Sequence, residues 1–474
     1  MSERRNGERD QDRERMRLLE FQLDHLRAEL LHLTHERYRL IYSVSGHIYR
    51  FLRPIEAFIA DNANAFVARF RPPASEAPPS TPAQGAPAAR SAPAPARRLL
   101  VDVTGTIKRD AGTGIQRVVK EVVRGLYSGE SFDIPAFAVR CENGRLLSAN
   151  SFVAELVGAD AAPDSEIDIE SGDRFLMLSD SWNAFEELAP IFAKICREGG
   201  EVVSCIFDLI PELYPHACHE VTVPRYRAWL RKALVESDSF LAISKTVADE
   251  LADYVAAQRL PHRPGLKIGW FHCGSDLALR ADSAPRDNIK RAVAGEAPVF
   301  LNVGTIEPRK GQRVALRAFE QLWAHGRDIR LIFVGRRGWF EEAVVNEIVT
   351  HREFDRRLFW FDDVDDDELS FLYDHAAALI FPSYAEGFGL PIVEAARRGR
   401  PAICSDIPVF REVGQDGALY FRVNDATALA ATIADFLDGR RAGDPDKVLR
   451  VAWRDAARRI VEVIAREDWS RRLP

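Results

Sequence analysis

From Leu99 to Cys404 the chain repeats one unit: a short unbroken apolar run, a turn rich in glycine or polar residues, and a longer amphipathic stretch. An apolar run without polar alternation is what a strand covered on both faces requires, and parallel strands need a crossover helix between them. The repeat therefore constrains the chain to an α/β fold with parallel sheets. Residues 99–103, 175–178, 202–207 and 239–243 form one set of candidate strands, and 299–303, 330–334, 358–361, 377–381 and 402–404 form a second. Between the sets, the polar, proline-containing stretch 281–296 marks a hinge. The expected division is one α/β domain over 99–285, a second over 286–445 and a C-terminal helix over 446–474, for which 474 residues leave ample room.

The first 98 residues read differently. Met16, Leu19, Leu23, Leu26, Leu30 and Leu33 recur in steps of three and four, and Arg37 ends the seam. A coiled coil and an amphipathic helix folded onto the catalytic body both fit this pattern over residues 1–71. Its second half mixes Tyr42, Tyr49, Phe51, Phe58, Phe66 and Phe70 with Arg50, Arg53, Arg69 and Arg71, which suits peripheral membrane contact or self-association. Residues 72–98 are mostly Pro and Ala, an extended linker.

A net charge of -7 gives no basic face for a polyanion, which argues against nucleic acid as partner. Six cysteines occur singly, several in apolar runs, as expected of reduced thiols. No apolar run reaches the ~18 to 20 residues of a membrane span, and the N-terminus lacks a signal-peptide core. The expected location is the cytoplasm, at most peripheral at the inner face of the membrane.

The most informative motif is Tyr384-Ala-Glu-Gly-Phe-Gly-Leu-Pro-Ile-Val-Glu-Ala395. A buried strand leads into it, Gly387 and Gly389 allow a tight turn, and Pro391 suits the start of a helix that Gly399 closes. The free N–H groups of such a helix start form an anion site, so a diphosphate fits against Gly387, Phe388, Gly389 and Leu390, with Glu386 and Glu394 free to bind hydroxyls on either side. The segment resembles the donor-site signature of family 4 of the retaining glycosyltransferases. That resemblance implies the GT-B fold, two facing Rossmann-like domains, with Glu386 on the donor sugar and Glu394 on the nucleotide ribose.

Other segments extend the reading. In Leu301-Asn-Val-Gly-Thr-Ile-Glu-Pro-Arg-Lys-Gly311, the adjacent cations Arg309 and Lys310 can neutralise a diphosphate leaving group, and Gly304 allows close backbone approach. In the first domain, Gly112 and Gly114 sit in a turn between a strand and a helix beginning near Ile115, where their N–H groups can meet the donor phosphate, with Arg117 behind. Arg336 and Trp339, in a turn after a strand, are base-site or surface residues. Asp208 follows a strand at the lip of a cleft and is either an acceptor or sugar contact or a turn acid. Many relatives read His-Asp here, whereas this chain has Phe207, so no catalytic histidine is carried over. His216 and His219 lack further ligands at suitable spacing, so no metal is expected.

The residues and the resemblance together predict a retaining, metal-independent hexosyltransferase, with GDP-mannose the favoured donor because two segments look like those of bacterial surface-polysaccharide mannosyltransferases. Its acceptor would be a glycan or a lipid-linked oligosaccharide. A sugar epimerase or phosphorylase on the same fold, and a nucleotide-sugar-binding scaffold, are the alternatives.

Overall fold

The computed structural model describes residues 97–110, 112–179, 181–276, 284–338 and 342–474. The expectations for residues 1–96 and for Trp339 lie outside the described residues.

The first sheet contains β1 (Arg98–Asp102), β2 (Ala136–Glu142), β3 (Arg145–Ser148), β4 (Asp173–Met177), β5 (Glu201–Ile206), β6 (Ser239–Ala242), β7 (Lys267–Trp270) and β14 (Arg471–Arg472). The second contains β8 (Val299–Val303), β9 (Arg330–Val334), β10 (Leu358–Phe361), β11 (Ala378–Phe381), β12 (Ala402–Ser405) and β13 (Leu419–Phe421). The second sheet is parallel throughout, in the order β10-β9-β8-β11-β12-β13. Counted from its own first strand this is 3-2-1-4-5-6, the doubly wound order in which the chain reverses direction between strands one and four. The first sheet repeats that order, β3-β2-β1-β4-β5-β6-β7, with antiparallel strands β3 and β14 at its two edges.

Alternate residues of each strand serve opposite faces, as the period of two demands. Leu99, Val101, Val203 and Cys205 share one core with Leu301, Val334, Leu379 and Phe381 of the second sheet, while Leu100, Val202 and Ile206 face a separate one. The third core collects Phe300, Leu331, Phe333, Leu358 and Ile380. Helices cover both faces of each sheet, so the inner strands are buried and mostly apolar.

The chain then returns to the first domain. Helix Trp453–Ala465 lies against helix Gly114–Leu126 so closely that a side chain at Gly125 would overlap the Trp453 carbonyl oxygen and the Ala457 methyl group. Strand β14 then pairs with β7 through Arg471–Ile268. The stretch expected to be a hinge contains helix Asp287–Val293, and Arg286 at its start binds Glu368 at 2.7 Å, fixing it to the second domain. Among the described residues no helix is long and apolar enough to cross a membrane.

Candidate functional site

In a doubly wound sheet the loops leaving strands one and four diverge and open a crevice at their carboxyl ends. In the second sheet those strands are β8 and β11, and every charged residue singled out in their loops falls there. The loop after β8 carries Gly304, then Glu307, then the short turn Pro308–Lys310. The loop after β11 carries Tyr384 to Gly389 and feeds helix Leu390–Arg397. Tyr384 N donates to the Arg309 carbonyl at 2.9 Å, tying the two loops together.

The sequence reading gave the cations to phosphate and Glu386 to sugar. The structure brings all three into one buried cluster. Arg309 Nη1 donates to Glu386 Oε2 at 2.8 Å, Lys310 Nζ stands 2.6 Å from Oε1, and Arg309 Nη2 pairs with Glu307 at 2.8 Å. Burial alone would push the Glu386 carboxyl up, but Arg309 and Lys310 outweigh it and hold it down to about 2. Burial disfavours the Arg309 charge too, yet Glu386, Glu307 and Asp208 raise its pKa above the ordinary range. Lys310 goes the other way: burial and the neighbouring Arg309 lower it. Gly304, at φ +145°, faces the Lys310 stem: a Cβ added there would lie 3.5 Å from Lys310 Cε.

Gly387 has a different role from the tight turn expected of it. Gly389 supplies the left-handed turn, at φ +106° before the helix, and Pro391 follows in its first turn. At Gly387 the constraint is contact between domains: a Cβ there would overlap the Phe207 carbonyl oxygen at the end of β5. The Gly387 carbonyl in turn accepts from Ser244 Oγ at 2.8 Å, and the same hydroxyl caps helix Lys245–Gln258 through Val247 N. Phe388 is a packing residue, its ring 6.0 Å from that of His272, and Leu390 packs against the central core. Asp208, beside Gly387, accepts from Ile210 N at 2.9 Å, as a turn acid does. Burial raises its pKa, opposed by Arg309.

Glu394 lies apart from this cluster, one turn into the helix. It is buried, accepts from Tyr373 at 2.9 Å, and pairs with Arg117 of the first domain at 3.1 Å. The glycine loop of the first domain faces the second across the same cleft. A Cβ added at Gly112, at φ +62°, would lie 3.7 Å from the Arg336 guanidinium, whereas one added at Gly114, which opens helix Gly114–Leu126, would meet open space. Thr113 and Gln116 complete a capping box at that helix start.

Four contributors were not read from the sequence. Glu307 stood next to the cation pair and was legible as a counter-charge. Tyr373, Glu412 and Glu250 reach the cleft only through packing. Glu412 belongs to the second domain, yet it accepts from Lys245 N and Thr246 N at 2.7 Å each and bonds His272 Nε2 at 2.7 Å, pinning the helix start of the opposite domain. Among the described residues no group of three His, Cys, Asp or Glu side chains is arranged to hold a metal ion.

Two doubly wound sheets turn their carboxyl ends on one charged cleft, a two-domain α/β architecture. Residues 285–459 match the family model described as Glycosyl transferases group 1. The serotype-specific mannosyltransferase WbdA of Escherichia coli is 31% identical over 347 residues, 72% of this chain and 41% of WbdA. The O-antigen chain mannosyltransferase B of Escherichia coli is 31% identical over 224 residues, 46% of this chain and 58% of that protein. This chain thus spans less than half the length of the WbdA it matches. HepE of Anabaena, solved with UDP and glucose, is 15% identical with a TM-score of 0.49, over 78% of this chain and 98% of its own.

Proposed function

We propose that the chain is a retaining hexosyltransferase that moves mannose from GDP-mannose to a glycan or lipid-linked acceptor in the synthesis of a bacterial surface polysaccharide. The observation that carries this reading is the buried Arg309–Lys310–Glu386 cluster at the switch point of a group 1 glycosyltransferase domain. The mannosyl choice and the polysaccharide setting rest on the similarity to WbdA and mannosyltransferase B.

The chemistry follows from the groups present. The bond from the anomeric carbon to the diphosphate breaks, the acceptor hydroxyl bonds to that carbon, and its proton leaves with the diphosphate. Negative charge grows on the departing oxygen, so catalysis needs fixed positive charge there. Arg309 offers a rigid fork and Lys310 a point charge, already desolvated and held in place by Glu386 and Glu307, which lowers the reorganisation needed when phosphate arrives. These two cations do the work that a divalent metal would otherwise do. The donor sugar lies against Glu386, the ribose reaches Glu394, and the backbone near Gly112, Gly114 and Gly387 to Leu390 flanks the phosphates.

The test is to incubate purified protein with GDP-mannose, GDP-fucose, UDP-glucose and UDP-N-acetylglucosamine and to measure nucleoside diphosphate release. Release from GDP-mannose above the others, stimulated by acceptor, is the expected result. No release from any of them removes the transferase reading.

A further inference from the structure

The cation cluster occupies the β8 side of β11. On the β12 side of the same strand a cavity opens between the domains, walled by Ile210 and Tyr214 after β5, Glu250 of helix Lys245–Gln258, Tyr384 and Glu386 after β11, and Pro408 after β12. About 60 Å³ of it is enclosed, and its mouth opens to solvent, so an occupant would extend outward through that mouth.

Its walls are chemically divided. The Tyr214 and Tyr384 rings stand 5.7 Å apart at 57°, and the His216 ring stacks on Tyr384 at 6.4 Å and 16°. Burial pushes the His216 imidazole down to about 4, so at neutral pH this is an uncharged aromatic wall. Such a surface accepts the C–H face of a pyranose, and the Tyr384 hydroxyl is held 3.4 Å from His216 Nε2. Opposite lies the carboxyl of Glu250, which no cation or hydrogen-bond donor among the described residues meets. Burial first, then Asp208 and Glu412, push its pKa up to about 7. A half-buried carboxyl without a protein partner is costly unless a ligand supplies one. Glu386 belongs to both sides: its carboxylate meets the cations, and its residue lines this cavity.

We propose that this cavity is the acceptor subsite and that the acceptor presents a hexopyranose of a glycan chain, its ring laid on Tyr384 and Tyr214 and one hydroxyl hydrogen-bonded to Glu250. The attacking hydroxyl then lies next to Glu386, across from the phosphate cations. This inference rests on the transferase reading, and it selects a sugar hydroxyl over a lipid phosphate as the attacking group.

Glu250→Ala and Tyr384→Leu test it, with Glu250→Gln as the conservative variant that keeps one hydrogen bond. Steady-state transfer to a series of mannooligosaccharides is measured, alongside calorimetric affinity for GDP. Both truncations raise the acceptor KM by about tenfold or more with kcat changed far less, Glu250→Gln recovers part of the loss, and GDP affinity stays at the wild-type value. An unchanged acceptor KM in both truncations overturns the subsite, and so does a fall in GDP affinity that tracks the loss of transfer, which would give the cavity to the donor. Transfer to a lipid phosphate with none to any sugar overturns it as well. A wild-type protein that neither binds GDP nor releases it from GDP-mannose refutes the transferase reading itself, a result separate from any behaviour of the variants.

Discussion

Replacing Glu386 by Gln keeps the shape of the side chain and removes one negative charge from a buried cluster. In the folded protein that charge has Arg309 at 2.8 Å and Lys310 at 2.6 Å, which hold the carboxyl at about 2 against an ordinary 4.5. At about 1.4 kcal/mol per pKa unit, the displacement amounts to roughly 3 kcal/mol of stability. Because the folded value is depressed, this stability is fully present above pH 4.5 and is lost as the pH falls through 2. The variant should therefore be less stable than wild type at neutral pH, with the gap closing in strong acid. The same change leaves Arg309 and Lys310 with Glu307 and the more distant Asp208 to balance them. A phosphate about 6 Å from the missing charge gains up to ~3 kcal/mol at an effective dielectric of 20, so nucleoside diphosphate affinity should rise, by roughly 10- to 100-fold. Turnover should fall by about 100-fold or more, since the group proposed to hold the donor sugar is gone. Urea unfolding, calorimetry with GDP and diphosphate release report the three effects separately. A variant that binds GDP no more tightly than wild type, or that turns over at near the wild-type rate, refutes the reasoning.

Arg309→Ala and Lys310→Ala should each weaken GDP binding by about 10-fold or more, through loss of a charge-assisted phosphate contact; unchanged calorimetric affinity in both removes them from the site. Gly387→Ala places a methyl group on the Phe207 carbonyl, so transfer should drop sharply while GDP still binds the second domain, and full transfer activity would show that the seam can open at no cost. Exhaustive chelation should leave transfer intact, and a loss restored by Mg²⁺ or Mn²⁺ would contradict the metal-free account. Deleting residues 1–71 should preserve transfer to a soluble acceptor and change light scattering or liposome flotation; if neither assay moves, the proposed self-association or membrane role is wrong.

The second domain was the more legible half. Residues 299–303, 330–334 and 358–361 are strands to the residue, because each is an apolar run bounded by polar or turn residues and buried on both faces. Edges were harder. Strand β2, next to the edge strand β3, carries an exposed Phe137 and a half-buried Arg140, so its pattern is mixed, although Asn143-Gly144, both at positive φ, is the turn signal that marks the β2–β3 hairpin. Strand β7 opens with Lys267, whose buried ammonium is satisfied by Glu201 at 2.9 Å, a pairing that local sequence cannot reveal. The site divides in the same way. Glu386, Arg309, Lys310 and Glu394 stood out because each lies in a loop or helix start whose strand could be recognised. What lay beyond reach was their mutual pairing, the contact between Gly387 and Phe207, and the presence of Glu250 and Glu412, all of which depend on the packing of one domain against the other.

The most direct test of the central claim is proton NMR of the product formed from GDP-mannose and a mannooligosaccharide, run on wild type and on Glu386→Gln. The account predicts GDP release coupled one to one with a new mannosidic bond that has the same anomeric configuration as the donor, and no such bond from the variant. Product of inverted configuration, or retained-configuration product at an equal rate from Glu386→Gln, would contradict it.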